Sequence, residues 1–236
     1  MSRPSPHGMD DSRANVPATS RSPASLDPAQ LRSLSALGRT VRFADGARIF
    51  REGEISGRVI LLVRGRVKVF SSTKDGRDIV LAIRGPGEML GEISAIDGGP
   101  HSATCEAMEP VEALAIASEL FRGFLREHPQ VPLLLLRTIT SRLRDSDRKR
   151  VEFGGQDTLG RVAARLIELA EQHGSDDAGR VRIDLAFSQQ ELAGWVSASR
   201  ESVVKALTVM RSRGWIETRR RRIVVLNLPA IRERAT

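Results

Sequence analysis

The sequence predicts an α+β chain: an antiparallel β-roll of jelly-roll type, then one long helix, then a small helical domain closed by a β-hairpin. Three observations predict it. From 39 to 117, short apolar or alternating runs are divided by Gly, Asp and Pro, as in all-β sandwiches and barrels. From about Pro129 the apolar spacing turns helical and stays so to Phe153. Beyond Thr158 come short amphipathic segments, followed by two strand-like runs on either side of four consecutive arginines.

Residues 1–25 are rich in Ser, Pro and Arg and lack apolar periodicity; they predict a disordered N-terminal tail, bounded at 1–27. A short helix is expected from Pro28, with Leu31, Leu34 and Leu37 on one face and Gly38 ending it. It opens the β-roll domain, 28–127. Strands are expected at Arg48–Phe50, Val59–Val63, Val67–Phe70, Ile79–Ile83, Thr104–Ala107 and Val111–Ile116, with turns at Asp45-Gly46, Arg64-Gly65-Arg66, Asp75-Gly76, Gly85-Pro86-Gly87 and Asp97-Gly98-Gly99. Val59, Leu61 and Val63 would face one way, and so would Val67 and Val69 on the returning strand. Ser118 is expected to cap a short helix through Leu125.

The long helix and its hinge take 128–154, with Gly154-Gly155 as the natural interruption. One apolar stripe on a long exposed helix calls for a partner, either a second copy or the chain's own barrel. The last domain, 155–236, opens with an amphipathic helix, Thr158–His173, lined by Val162, Leu166, Ile167, Leu169 and Ala170. A loop, Gly174–Gly179, and a strand, Val181–Leu185, follow.

Composition narrows the chemistry. The net charge is +8, and the 23 residues from Arg200 to Arg222 hold eight basic and two acidic side chains, or +6 of it. Charge so concentrated suggests a surface facing phosphates. Cys105 is the only cysteine, which excludes a disulfide, a cysteine zinc site and an iron–sulfur cluster; a small buried residue is expected there. A cupin-like metalloenzyme is the alternative a β-barrel allows. Of His7, His101, His128 and His173 only His101 lies in the barrel, too few ligands for a metal. No Ser/His/Asp or Cys/His arrangement stands out, and Gly85-x-Gly87 is too weak for a nucleotide-cleaving loop, so no enzyme is expected. No apolar run reaches the roughly 18–20 residues of a membrane span, and no secretory h-region is visible. A cytoplasmic protein without a membrane partner is expected.

Ser188-Gln189-Gln190-Glu191 has the S-x-x-E form of a capping box. It predicts a helix Gln189–Val196, with small Ala193 where a second helix crosses closely. Ser197-Ala198 then makes a turn, and Ser199 caps the second helix. Val203, Leu207 and Met210 supply the buried face of that helix. Its other face gathers Arg200, Glu201 and Lys205, with Ser202 in the same first turn. Long hydrogen-bonding side chains at a helix N-terminus are what base edges in a major groove require; a plain ion pair between Glu201 and Lys205 is the alternative. Gly214 ends the helix. Trp215–Glu217 and Ile223–Leu226 then form a hairpin whose tip, Arg219, Arg220, Arg221 and Arg222, suits phosphates.

Over about 28–228 this order of parts resembles the family of the catabolite activator protein and Fnr-type regulators. The resemblance implies a cyclic-nucleotide-binding β-roll, a dimerisation helix and a C-terminal winged helix-turn-helix. The implied function is a homodimeric transcription regulator on a palindromic double-stranded operator, with RNA polymerase as a partner at the Gly174–Gly179 loop. Ala198-Ser199-Arg200-Glu201-Ser202-Val203 is close to the family's recognition-helix motif. Arg200, Glu201 and Lys205 match its three base-reading positions, lysine standing where the catabolite activator has arginine, which leaves a monodentate contact. Ser197 stands where the family often has glycine.

Gly85–Ser94 resembles the family's phosphate-binding cassette, which implies a ligand site at Gly91, Glu92, Ile93 and Ser94, with Glu92 on a ribose hydroxyl. Pro100-His101-Ser102-Ala103-Thr104 matches the Arg-Ser-Ala-like end of that cassette. His101 replaces the arginine that pairs with a cyclic phosphate, and offers only partial charge at an ordinary pKa of about 6.5. Ser146 and Asp147 fall where cyclic-AMP responders hold the adenine; Asp147 adds an anion unless a base amine, Arg148 or Arg150 satisfies it. The implied effector is a cyclic nucleotide such as cyclic AMP, with no covalent cofactor. A different effector and a constitutive regulator remain the alternatives.

Overall fold

A computed structural model describes residues 26–177, 180–184, 188–219 and 222–235. The expected tail at 1–25, and Arg220 and Arg221 at the wing tip, lie outside them. Helix α1 (Pro28–Ala36) starts where Asp27 accepts from the Ala29 and Gln30 N–H groups while the Gln30 side chain takes the Asp27 N–H, a complete capping box. Leu34 is buried, whereas Leu37 lies outside the helix and is exposed.

The β-roll follows as β1 (Arg39–Phe43), β2 (Arg48–Phe50), β3 (Arg58–Arg64), β4 (Val67–Ser72), β5 (Asp78–Arg84), β6 (Met89–Leu90), a short α2 (Glu92–Asp97), β7 (Thr104–Ala107) and β8 (Val111–Ala117). Two four-stranded antiparallel sheets face each other, β1-β8-β3-β6 and β2-β7-β4-β5. The sequence does not predict β1, because Arg39 and Arg42 break its apolar pattern. Pairing with β8, Val41 opposite Ala113, is what makes it a strand. β3 is buried on both faces. Val59, Leu61 and Val63 pack under helices with Leu34 and Phe121, while Ile60 and Leu62 point between the sheets towards Phe50, Leu90 and Cys105. Burial pushes the Cys105 thiol up to about 12, so it is an inert apolar filler.

Helices α3 (Ser118–Glu127) and α4 (Gln130–Gly155) come next. The cap of α3 is Ala117, without a side-chain bond, and Ser118 is its buried first residue, not its cap. The expected hinge is also displaced: α4 runs on through Gly154 and Gly155. The break comes at 156–157, where Asp157 accepts from the Gly160 N–H and caps α5 (Thr158–His173). A capped start for the next helix decides the boundary more firmly than two glycines weaken the previous one.

The segment expected as the loop Gly174–Gly179 is instead strand β9 (Gly174–Asp177), paired with β10 (Arg180–Ile183). α6 (Gln189–Trp195), α7 (Arg200–Ser212), β11 (Ile216–Arg219), β12 (Arg222–Val225) and α8 (Leu228–Ala235) complete the chain. The closing hairpin is half of a four-stranded sheet, β11-β12-β10-β9, because the polar β9 finds its backbone partners in β10. The unexpected α8 packs on α5, where Arg234 pairs with Asp157. Leu166, Leu192, Val203, Leu207 and Met210 form the core of this domain, and Val80, Ile83 and Met108 of the β-roll join it.

Strain and burial give two testable expectations. Ser197 is the only non-glycine residue at positive φ (+47°) among those described, a region that costs most side chains about 1 kcal/mol. Ser197→Gly should therefore raise unfolding stability by about 0.5–1 kcal/mol in urea titration; a lower midpoint would mean the side chain stabilises the turn. Burial, and then the charge of Arg66, lowers His173 to about 4, and its Nε2 has no partner. The unfolded chain takes up that proton near pH 6.5, so stability is full above pH 6.5 and falls towards pH 4. From pH 7 to pH 5 the loss from this ring should be about 1–2 kcal/mol. His173→Asn should abolish that share; the same loss in the variant would refute it.

Candidate nucleic-acid interface and effector cavity

The helix-turn-helix is built by two caps. Ser188 accepts from the Glu191 N–H at 3.1 Å while Glu191 accepts from the Ser188 N–H at 2.7 Å. Ser199 accepts from the Ser202 N–H at 3.1 Å and its hydroxyl bonds that of Ser202 at 2.9 Å. Val203, Leu207 and Met210 are buried beneath α7. On the opposite side Arg200, Glu201, Val204 and Lys205 line one open depression. No side-chain hydrogen bond or ion pair among the described residues engages Arg200, Glu201 or Lys205, so the Glu201–Lys205 pair does not form. Exposed Ser188 and Gln189 begin α6.

The wing is less free. Arg222 donates to Asp184 at 2.7 Å and Arg219 lies 3.7 Å from Glu217. Arg182 also bonds Asp184, at 2.6 Å, and the two arginines lower its pKa although burial opposes them. These exposed pairs are weak and exchangeable, so phosphates would compete for them.

The cassette, β5, α4, α5 and α6 enclose a cavity of about 550 Å³, within the range of small-ligand sites. Gly91, Glu92, Ile93, Ser94, His101, Ser102 and Ser146 line it. Gly91 sits at φ +78°, where an added Cβ would fall 2.9 Å from the Phe50 ring, so only glycine fits. Ser94 donates to the Gly99 carbonyl at 2.5 Å, closing the loop after α2. The Glu92 carboxylate is 5% exposed and is paired with Arg142 of α4. Arg142 also comes within 4.0 Å of Glu88, which Arg84 meets at 3.3 Å.

His101 stacks on Phe50, with ring centroids 4.1 Å apart, and its Nε2 bonds the Ser56 hydroxyl at 2.8 Å. Burial, then the nearby charge of Arg58, holds its pKa below the ordinary histidine value. The ring therefore carries less positive charge than an ordinary histidine would. Asp147 departs from expectation too. It is exposed, lies 3.5 Å from Arg150, and does not line the cavity.

Sequence reasoning did not find Arg84, Arg142, Lys149, Glu168 or Trp195, which the fold brings to the same cavity. Counting ionisable linings, Arg84, Arg142, Lys149 and Arg150 stand against Glu92, Asp145 and Glu168. The balance of one positive charge suits a monoanion. Only the inward polar positions of the long helix could have signalled Arg142 and Lys149.

The cavity ends against the helix-turn-helix. Lys68 of β4, almost wholly buried, pairs with Glu191 at 2.7 Å and Glu106 at 3.2 Å. Burial opposes its charge, but Glu191 and then Glu106 outweigh that and hold the ammonium above the ordinary lysine value. A Cβ on Gly194 would run into the Asp78 carbonyl oxygen, so α6 lies directly on the start of β5.

Residues 40–128 match the profile of the cyclic nucleotide-binding domain, and residues 160–234 that of the Crp-like helix-turn-helix domain. A "CRP-like cAMP-activated global transcriptional regulator" of Mycobacterium tuberculosis is 31% identical over 210 residues, covering 89% of this chain and 94% of that one. The chain belongs to the Crp/Fnr family of transcription regulators. Among solved structures, a transcriptional regulator of the CRP family from Thermus thermophilus aligns with a TM-score of 0.70 at 27% identity, over 83% of this chain and 96% of its own. FixK2 from Bradyrhizobium japonicum shares the fold, with a TM-score of 0.75 at 21% identity over 84% and 98%. This Crp/Fnr chain therefore has a cyclic-nucleotide-binding-type β-roll and a DNA-binding helix-turn-helix. No described helix is long and apolar enough to cross a membrane.

Removing Arg142 would leave the buried Glu92 carboxylate unpaired. Arg142→Ala should cost about 3 kcal/mol in urea unfolding at pH 7, with Arg142→Lys recovering part of it. A cost below about 0.5 kcal/mol would mean the pair is solvated and does not fasten α4 to the cassette.

Proposed function

We propose that this chain is a cytoplasmic, non-enzymatic homodimeric regulator that binds a palindromic DNA operator and is controlled by a cyclic nucleotide such as cyclic AMP. Its parts are an effector domain at 28–127, a dimerisation helix at 128–154 and a DNA-reading domain at 155–236. The observation that carries the reading is the recognition face of α7: Arg200, Glu201 and Lys205 stand together, exposed and unpaired among the described residues. Arg200 and Lys205 suit guanine O6 and N7, and Glu201 the cytosine amine. Ser188, Gln189, Ser199, Ser202, Arg219 and Arg222 flank that face and take phosphates; Arg220 and Arg221 would add to them.

Dimerisation is supported by α4, whose outer face exposes Leu133, Leu136, Leu143 and Val151, a spacing close to a coiled-coil seam. Asp147, exposed and four residues from both Leu143 and Val151, would stand beside that seam. Cyclic AMP control is supported by the activator from Mycobacterium tuberculosis and by the cavity's size and single excess positive charge. Arg84 and Arg142 provide the cationic wall that His101 does not. RNA polymerase is the expected partner at the β9–β10 hairpin.

Gel shifts on a TGTGA-type palindrome test both ends. Cyclic AMP should raise operator affinity; equal affinity with and without it would remove cyclic AMP control. Arg200→Ala should lose about 1–3 kcal/mol and relax the preference at one base pair. Equal weakening on every sequence would make Arg200 a phosphate contact.

A further inference from the structure

The sheet of the DNA-reading domain keeps its apolar side chains on one face. Val181, Ile183, Ile223 and Val225 pack into the core, and the register sets Val181 opposite Val225 and Ile183 opposite Ile223. Strand alternation therefore turns Arg182, Arg219 and Arg222 to the outer face, where Arg219 stands opposite Arg222. Asp184, just past the end of β10, meets two of them there. Its Oδ2 accepts from Arg182 Nε at 2.6 Å and its Oδ1 from Arg222 Nε at 2.7 Å. Both carboxylate oxygens are thus taken, each by a guanidinium from a different strand. The Nη groups of the two arginines donate no other hydrogen bond among the described residues. All three side chains can be reached from solvent, being between 34% and 43% exposed.

Like charges opposite one another destabilise a sheet, and one carboxylate shared by two guanidiniums leaves a positive charge over. That balance suits a phosphodiester monoanion, whose oxygens the planar forks of arginine grip well. The position suits it too. Asp184 leads into the start of α6 at Ser188, and Arg222 adjoins the tip of the wing, the two places proposed to take phosphates. We infer that Arg182 and Arg222 form a binding site for one phosphodiester of the DNA backbone, and that Asp184 fills this site in the free protein as the phosphate's internal competitor. The inference rests on the DNA-binding reading and adds Arg182 and Asp184, to which that reading gives no role. On the duplex the guanidiniums exchange the carboxylate for a phosphate, and Asp184 returns to solvent. A backbone contact carries no base information. Asp184 therefore lowers affinity for every duplex alike and leaves the choice of sequence to α7.

Fluorescence anisotropy of the full chain tests this on a TGTGA-type palindrome and on a random duplex of equal length, from low salt upward with cyclic AMP present throughout. Arg182→Ala should weaken binding to both duplexes by a similar factor, roughly three- to tenfold, and make the salt dependence shallower by about one phosphate contact. Arg182→Lys should keep most of that salt dependence. Asp184→Asn should tighten binding to both duplexes roughly threefold. That gain should vanish when Arg182→Ala and Arg222→Ala are added, since no guanidinium is then left to free. Unchanged affinity and salt dependence in Arg182→Ala overturn the phosphate site. A gain from Asp184→Asn that survives without the two arginines is a bulk charge effect, and no gain makes Asp184 a structural clamp; either overturns its role as competitor. If the unsubstituted chain binds neither duplex at low salt, the DNA-binding reading falls and this inference with it.

Discussion

A carboxylate that is 5% exposed needs a cation, and for Glu92 that cation comes from a different element, Arg142 of α4. The pairing ties the cassette to the long helix through an interaction whose loss would strand a charge in the protein interior. Everything that α4 carries is thereby referred to the cassette: Ser146 and Lys149 on the cavity, and Leu136 and Leu143 on the outer side. Glu88, Arg84 and Arg142 extend the same network across β5.

From α4 the connection to the DNA-reading domain runs through two contacts of different character. Lys149 bonds Glu168 of α5 and the backbone of β5, and Lys68 bonds Glu191, whose carboxylate also closes the capping box of α6. One carboxylate thus serves a local helix start and a long-range domain contact. A change in how β4 and β5 sit would be felt at the first turn of the helix-turn-helix. The exposed face of α7 that carries Arg200, Glu201 and Lys205 stands away from these contacts.

Much of this is legible along the chain. The capping box at Ser188, the cap at Ser199 and the buried trio Val203, Leu207 and Met210 are local signals, each resolved within a few residues. So are most strands of the roll, since alternation and turn chemistry are short-range. What escapes are elements with weak local patterns. β1 and β9 are polar segments that become strands only because β8 and β10 offer backbone partners, and the hinge lies beyond the two glycines because Asp157 caps the next helix. His101 reads as a partial cation in the sequence because its seat between Phe50 and Ser56 is assembled from distant parts of the chain.

Helix α7 and its exposed basic face were determined by the sequence alone, because caps, amphipathic spacing and a basic face are all properties of neighbours in the chain. The effector cavity was decided by the tertiary structure. Arg84, Arg142, Lys149 and Trp195 come from β5, α4 and α6, and their spacing in sequence encodes nothing about their meeting. Only packing the β-roll, the long helix and the first helix of the reading motif against one another brings them to one wall. Which of those cations stay paired is settled by burial and by neighbours that no local pattern records.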